Sequence, residues 1–128
     1  MGETRVYDMI VVGGGPGGYT AALYAARAGL DTLVLEKLSA GGQMALTEEI
    51  DNYPGYEDGI DGFTLAEKMQ RQAERFGAQT AYAQVERMEL TAAPMTILTT
   101  CWAGVRLSMT SWPMARSDTF AQKSLATL

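Results

Sequence analysis

Six consecutive residues carry the clearest chemistry in this sequence: Gly13-Gly14-Gly15-Pro16-Gly17-Gly18. Through Gly13, Gly15 and Gly18 they satisfy the spacing GxGxxG. Each of the three has its own physical task. Gly13 permits a tight turn out of a strand, Gly15 lets a pyrophosphate approach the backbone, and Gly18 lets the following helix pack close to the strand. The helix N-terminus offers open N–H groups and partial positive charge to phosphates. Glu36 follows about 20 residues after the turn, where a carboxylate can accept hydrogen bonds from the ribose hydroxyls of an adenosine. A 2′-phosphate there would be repelled by Glu36, which disfavours NADP at this site. The plainer alternatives are a glycine turn in an unrelated α/β protein and a solvated acid at a strand end.

Those residues need a strand, a helix and a second strand to hold them. Residues 6–12 are apolar and β-branched, with Asp8 as the one charge, and predict a buried strand that stops at the glycines. Pro16 suits the first turn of a helix, and residues 20–27 are rich in helix formers. Gly29 can end that helix in a left-handed conformation. Residues 32–35 predict a second strand. Strand, turn, helix and strand make one right-handed βαβ unit with a parallel sheet. Residues 39–62 read as a long functional or mobile loop with little regular structure. Leu65, Met69, Ala73 and Phe76 then mark one face of an amphipathic helix over residues 64–76, stopped by Gly77. Residues 80–83 predict a third strand, and residues 87–90 the opening of an antiparallel one. Residues 97–102 could form a strand by propensity, and no sustained pattern follows Gly104.

These elements, in this order, resemble the amino-terminal part of bacterial thioredoxin reductase. The motifs are the βαβ unit ending at Glu36, then Gly41-Gly42-Gln43-Met44, then Asp51-Asn52-Tyr53-Pro54-Gly55, then the helix from Leu65 to Phe76 with Gly77-Ala78. The resemblance covers about residues 5–94. It implies an α/β fold, a Rossmann-like FAD/NAD(P)-binding domain with a parallel sheet, here incomplete and followed by an irregular C-terminal tail. It also implies that the cofactor is FAD. Gly13, Gly15, Pro16 and Gly18 would line the pyrophosphate, and Glu36 would hold the adenosine ribose. Gly42 and Gln43 would lie along the flavin side, Thr47 and Asn52 near the isoalloxazine ring, and Val85 would offer its backbone to the adenine. Read on their own, Gln43 and Asn52 are ordinary loop amides, and Val85 is a core strand residue. In the resembling family, electrons pass from NADPH to flavin, to a dithiol and on to thioredoxin, in a cytoplasmic homodimer. Related ferredoxin–NADP reductases and peroxiredoxin reductases share the same opening pattern.

Composition limits what the 128 residues can do alone. There is one Cys and no His, so no cysteine pair, no His-based triad and no HExxH metal site can be built from them. A net charge of −5 argues against nucleic acid as a partner, and no apolar run reaches membrane-spanning length. The short apolar stretch before the glycines does not read as a signal peptide. The acidic residues of the 48–61 loop lack EF-hand spacing and read as a solvated face.

The averages also hide a break. Residues 1–90 carry 14 of the 15 acids and 7 of the 10 bases, whereas the rest carries one acid and three bases. Twelve of the 14 Gly fall at or before Gly62. The expectation is therefore a partial FAD-binding domain over residues 1–94 and an atypical tail over 95–128, as a truncation or frameshift would produce. Cys101, alone beside Trp102, reads as an incidental thiol. The functional expectation is the FAD-binding segment of a thioredoxin reductase-like flavoprotein without turnover of its own. The alternatives are a non-catalytic dinucleotide-binding module and a non-functional fragment. No metal site is expected.

Overall fold

The computed structural model describes residues 5–91, 95–99 and 106–109. Two strands, β1 (Arg5–Tyr7) and β2 (Met9–Val12), stand where one was expected. Asp8 divides them for a hydrogen-bonding reason. The backbone N–H groups of Asp8 and Met9 both donate to the Asp31 carbonyl, while the Asp8 carboxylate accepts from the Asp31 N–H at 2.9 Å. The segment is also less buried than its apolar sequence suggests, since Val6 and Val12 are exposed. Helix α1 (Pro16–Arg27) and strand β3 (Thr32–Glu36) complete the βαβ unit. Gly29, at φ 77°, takes the left-handed conformation after the helix.

The 39–62 segment is more ordered than expected. It holds a 3-10 turn over Gly42–Leu46 and a backbone clasp in which Ile50 and Ile60 exchange two hydrogen bonds. Residues 51–59 form the loop closed by that clasp. Helix α2 (Gly62–Arg75) begins two residues earlier than its apolar face suggests, because the Asp61 side chain caps it by accepting from the Thr64 N–H at 2.8 Å. Strands β4 (Gln79–Tyr82), β5 (Val85–Glu89), β6 (Met95–Thr99) and β7 (Arg106–Met109) follow.

Two sheets result. One is parallel, in the order β2-β3-β4; the other runs β1-β7-β6-β5, with β1 parallel to β7 and the last three strands antiparallel. The C-terminal tail is thus not irregular over 95–99 and 106–109. Antiparallel pairing with β5 and parallel pairing with β1 supply there the order that local periodicity does not encode. Cys101, Trp102 and Gly104 lie outside the described residues.

Strand β3 is buried along its whole length, and its alternation divides the core. Val34 faces α1 and α2, packing with Tyr19, Ala22, Ala26, Ala66 and Ala73. Leu33 and Leu35 face the other way, packing with Tyr7, Ala81, Ala83 and Ile97. A strand covered on both faces needs a continuous apolar run, which residues 33–35 provide. The small side chains of α1 allow α2 to lie against it. At their far ends, Arg27 and Arg75 both stack on the Phe76 ring, 5.4 and 5.1 Å from its centroid.

The Asp61 cap makes stability depend on pH. Hydrogen bonds from the Thr64 side chain and then from its backbone N–H hold the Asp61 carboxyl below its ordinary value. A carboxylate whose pKa is lower folded than unfolded stabilises the fold above the unfolded pKa. That contribution is lost as pH falls through the folded value. We expect Asp61→Ala to lower the melting temperature at neutral pH, with the gap to the unsubstituted chain closing in acid. Thermal melts followed by far-ultraviolet circular dichroism across that range check this.

Candidate functional site

The site begins where β2 ends. The Gly13 N–H donates to the Leu35 carbonyl at 2.8 Å, so parallel pairing continues to the first residue of the turn. Gly13 then takes φ 102°, a conformation that L side chains rarely adopt. The chain reverses into α1, whose N-cap is Gly15 and whose first helical residue is Pro16. No side chain caps this helix and its first turn has no acidic residue. The opening N–H groups and the helix dipole therefore face outward with no carboxylate of their own to neutralise them.

The glycines of the turn divide into two physical kinds. A Cβ placed on Gly13, Gly15 or Gly17 would meet nothing within 4 Å, so these residues border open space. A Cβ on Gly18 would run into the Gly13 carbonyl, and one on Gly14 would lie 2.6 Å from a Glu36 oxygen and 2.9 Å from the Tyr19 ring. Gly18 and Gly14 are thus required by the protein's own packing. The space beside Gly15, by contrast, is left for something else.

Glu36 closes β3 directly against this turn. One carboxylate oxygen, Oε2, accepts from the Gly14 N–H at 2.7 Å, and the other accepts from the Lys37 N–H at 2.8 Å. The residue is only 8% exposed. Two backbone donors use part of its acceptor capacity and leave lone pairs for further donors such as hydroxyls. Beneath the turn, Tyr19 is buried and its hydroxyl lies 3.5 Å from that of Thr80. Burial pushes the Tyr19 phenol above its ordinary pKa, with the Thr80 hydrogen bond opposing it in part, so the group under the glycine turn is neutral.

The structure brings Gly13, Gly15, Pro16, Gly18 and Glu36 together at the C-terminal ends of β2 and β3, where parallel sheets bind ligands. Gly42 joins them through its neighbour, since the Gly41 N–H donates to the Gly14 carbonyl at 2.7 Å. Gln43 and Thr47, on the 3-10 turn and at its end, are exposed. Val85 lies two residues beyond Ala83, whose N–H donates to the Glu36 carbonyl, and its side chain packs on the Leu33–Leu35 side of the core. Asn52 sits on the clasped loop, in a shallow hollow with Tyr53, Pro54 and Tyr56, and among the described residues no hydrogen bond ties it to the glycine turn. The sequence reasoning passed over Gly14, Gly41 and Tyr19. Gly14 was visible as the middle of three glycines, but its need to lack a side chain comes from Tyr19 one helical turn on and from Glu36, 22 residues away.

An open edge at Gly15, an uncapped helix N-terminus and a carboxylate with spare lone pairs together fit a dinucleotide. We expect Gly15→Ala to leave the apo-protein's melting temperature within a degree or two while weakening dinucleotide binding tenfold or more. Gly18→Ala should instead destabilise the fold by about 1–3 kcal/mol through overpacking. Thermal melts with and without cofactor separate the two outcomes.

Comparison with known proteins agrees with this geometry. Residues 8–118 match the family described as FAD dependent oxidoreductase. The chain is 48% identical over 88 residues to the thioredoxin reductase of Bacillus subtilis, covering 69% of this chain and 28% of that one. It is 38% identical over 119 residues to the thioredoxin reductase of Aquifex aeolicus, covering 91% and 37%. Among solved structures, the thioredoxin reductase of Lactococcus lactis superposes with a TM-score of 0.74 at 41% identity, covering 82% of this chain and 33% of that one. The chain thus spans about a third of the length of these relatives. Both the family match and the Aquifex alignment run through the compositional break near residue 94. From the turn, the sheet and these likenesses together, the chain belongs to the FAD dependent oxidoreductase family and carries its thioredoxin reductase-like FAD-binding region.

Proposed function

We propose that this chain binds FAD as one segment of a thioredoxin reductase-like flavoprotein. The observation that carries the reading is the open edge of the glycine turn facing an uncapped helix N-terminus, with Glu36 fixed beside it. Gly13, Gly15, Pro16 and Gly18 receive the pyrophosphate, where open N–H groups and the helix dipole offset its charge. The spare lone pairs of Glu36 accept the adenosine ribose hydroxyls. Val85, held near Glu36 through Ala83, lies along the adenine. Gly42, Gln43, Thr47 and Asn52 belong to the flavin end, where their exposure leaves them free to contact a ring.

When bound, FAD supplies the two-electron redox chemistry, and the protein supplies position and electrostatics. In the complete reaction electrons pass from NADPH to a dithiol and then to thioredoxin. The name of an Arabidopsis thaliana relative, NADPH-dependent thioredoxin reductase 3, supports this assignment. The 128 residues contain one Cys, so the dithiol is not within them, and this segment binds and positions flavin without turning over by itself. Residues 1–94 supply the cofactor contacts, and the later strands supply sheet pairing. Homodimerisation and a cytoplasmic setting belong to the same proposal. Among the described residues, no helix is long and apolar enough to cross a membrane.

Titrating the purified chain with FAD tests the reading, with quenching of flavin fluorescence as the readout. Saturable binding is expected, weakened about tenfold or more by Glu36→Ala, which removes both the ribose acceptor and the support of the Gly14 N–H. A chain that stays colourless and leaves flavin fluorescence unchanged would refute it.

A further inference from the structure

Two glycines outside the fingerprint hold the flavin-end turn in place. A relay of backbone hydrogen bonds runs from the pyrophosphate turn to the start of α2. The Gly41 N–H donates to the Gly14 carbonyl at 2.7 Å, and the Met44 N–H to the Gly41 carbonyl at 3.1 Å. The Thr47 N–H then donates to the Met44 carbonyl at 3.0 Å, and the Gly62 N–H to the Thr47 carbonyl at 2.9 Å. Every segment between the two ends is thereby fixed to the next.

The relay closes only because Gly41 and Gly62 lack side chains. A Cβ on Gly62 would run into the Met44 carbonyl, and one on Gly41 would run into the Ala66 methyl. Ala66 itself is buried on the α2 face. Backbone is the obstacle at Gly62, and backbone cannot swing aside as a flexible side chain can. Any side chain there must push the Gly42–Leu46 turn away from α2.

We propose that Gly62 and Gly41 are positioning residues that set the flavin end of the site relative to its adenosine end. They act through the Gly42–Thr47 backbone, whose exposed residues face the ring, while the pyrophosphate turn, which the relay meets only at the Gly14 carbonyl, is held chiefly by β2, β3 and α1, and Glu36 by β3. The inference rests on the assignment of FAD to this site. It predicts an uncoupling: disturbing the relay weakens contacts to the flavin and leaves contacts to the adenosine alone.

The experiment compares FAD with ADP, which carries only the adenosine and pyrophosphate. For Gly62→Ala in the full 128-residue chain, the FAD dissociation constant should rise about tenfold and that for ADP should change less than twofold. A parallel loss for both ligands, or no loss for either, overturns the proposal. Should that variant fail to fold, amide hydrogen exchange on the unsubstituted chain gives the same decision. FAD should slow exchange at the Gly41, Met44, Thr47 and Gly62 amides more than ADP does, and equal protection by the two ligands overturns it. If the unsubstituted chain bound neither FAD nor ADP, the cofactor assignment would fail, and this proposal with it.

Discussion

The close approach of α1 to the turn that precedes it governs the top of the parallel sheet. That approach leaves no room for a side chain on Gly18, whose Cβ would run into the Gly13 carbonyl. With α1 at this distance, Tyr19 drops beneath the turn and its ring fills the space under Gly14. Ala22 and Ala26 then face Val34 across a narrow interface, and α2 can reach the same cluster. Moving α1 outward would withdraw Tyr19 from Gly14, loosen the packing on Val34 and shift the helix N-terminus away from Glu36. Helix packing and the placement of the helix N-terminus thus depend on the same absent side chain.

Glu36 adds an electrostatic constraint to that steric one. A nearly buried carboxylate is unfavourable unless hydrogen bonds compensate it, and here two backbone N–H groups do. One of them belongs to the glycine turn, so the acid proposed to take the ribose hydroxyls also orders the loop proposed to receive pyrophosphate. The arrangement is set before a ligand arrives. Preorganisation of this kind lowers the ordering cost of binding. The Gly41–Gly14 bond extends the ordered region toward the Gly42–Leu46 turn, and the Asp61 cap fixes the helix against which that turn rests.

The local parts of this structure were legible in the sequence. Glycine spacing, Pro16, the apolar run at residues 33–35 and the helical spacing of Leu65, Met69 and Ala73 are short-range signals, and each maps onto the corresponding element. What depends on distant partners was not legible. The break at Asp8 exists because Asp31 offers a carbonyl and an N–H there. The strand propensity of residues 97–102 marks only part of β6, and β7 forms through pairing with β6 and β1 rather than through alternation of its own. In the candidate site, the fingerprint glycines and Glu36 followed from spacing. The nearest obstacle to a side chain lies far off in sequence at all three of the other glycines: Glu36 for Gly14, Ala66 for Gly41 and the Met44 carbonyl for Gly62.

The central claim is that the outward N–H groups of the glycine turn, with Glu36 beside them, receive the adenosine diphosphate part of FAD. Amide chemical shifts of the 15N-labelled chain during titration with ADP test it most directly. The account predicts saturable shifts concentrated at Gly14, Gly15, Gly17, Gly18 and Lys37, with the α2 C-terminus around Arg75 unmoved. Shifts that left these turn amides in place while appearing elsewhere, or no shifts at all, would contradict it.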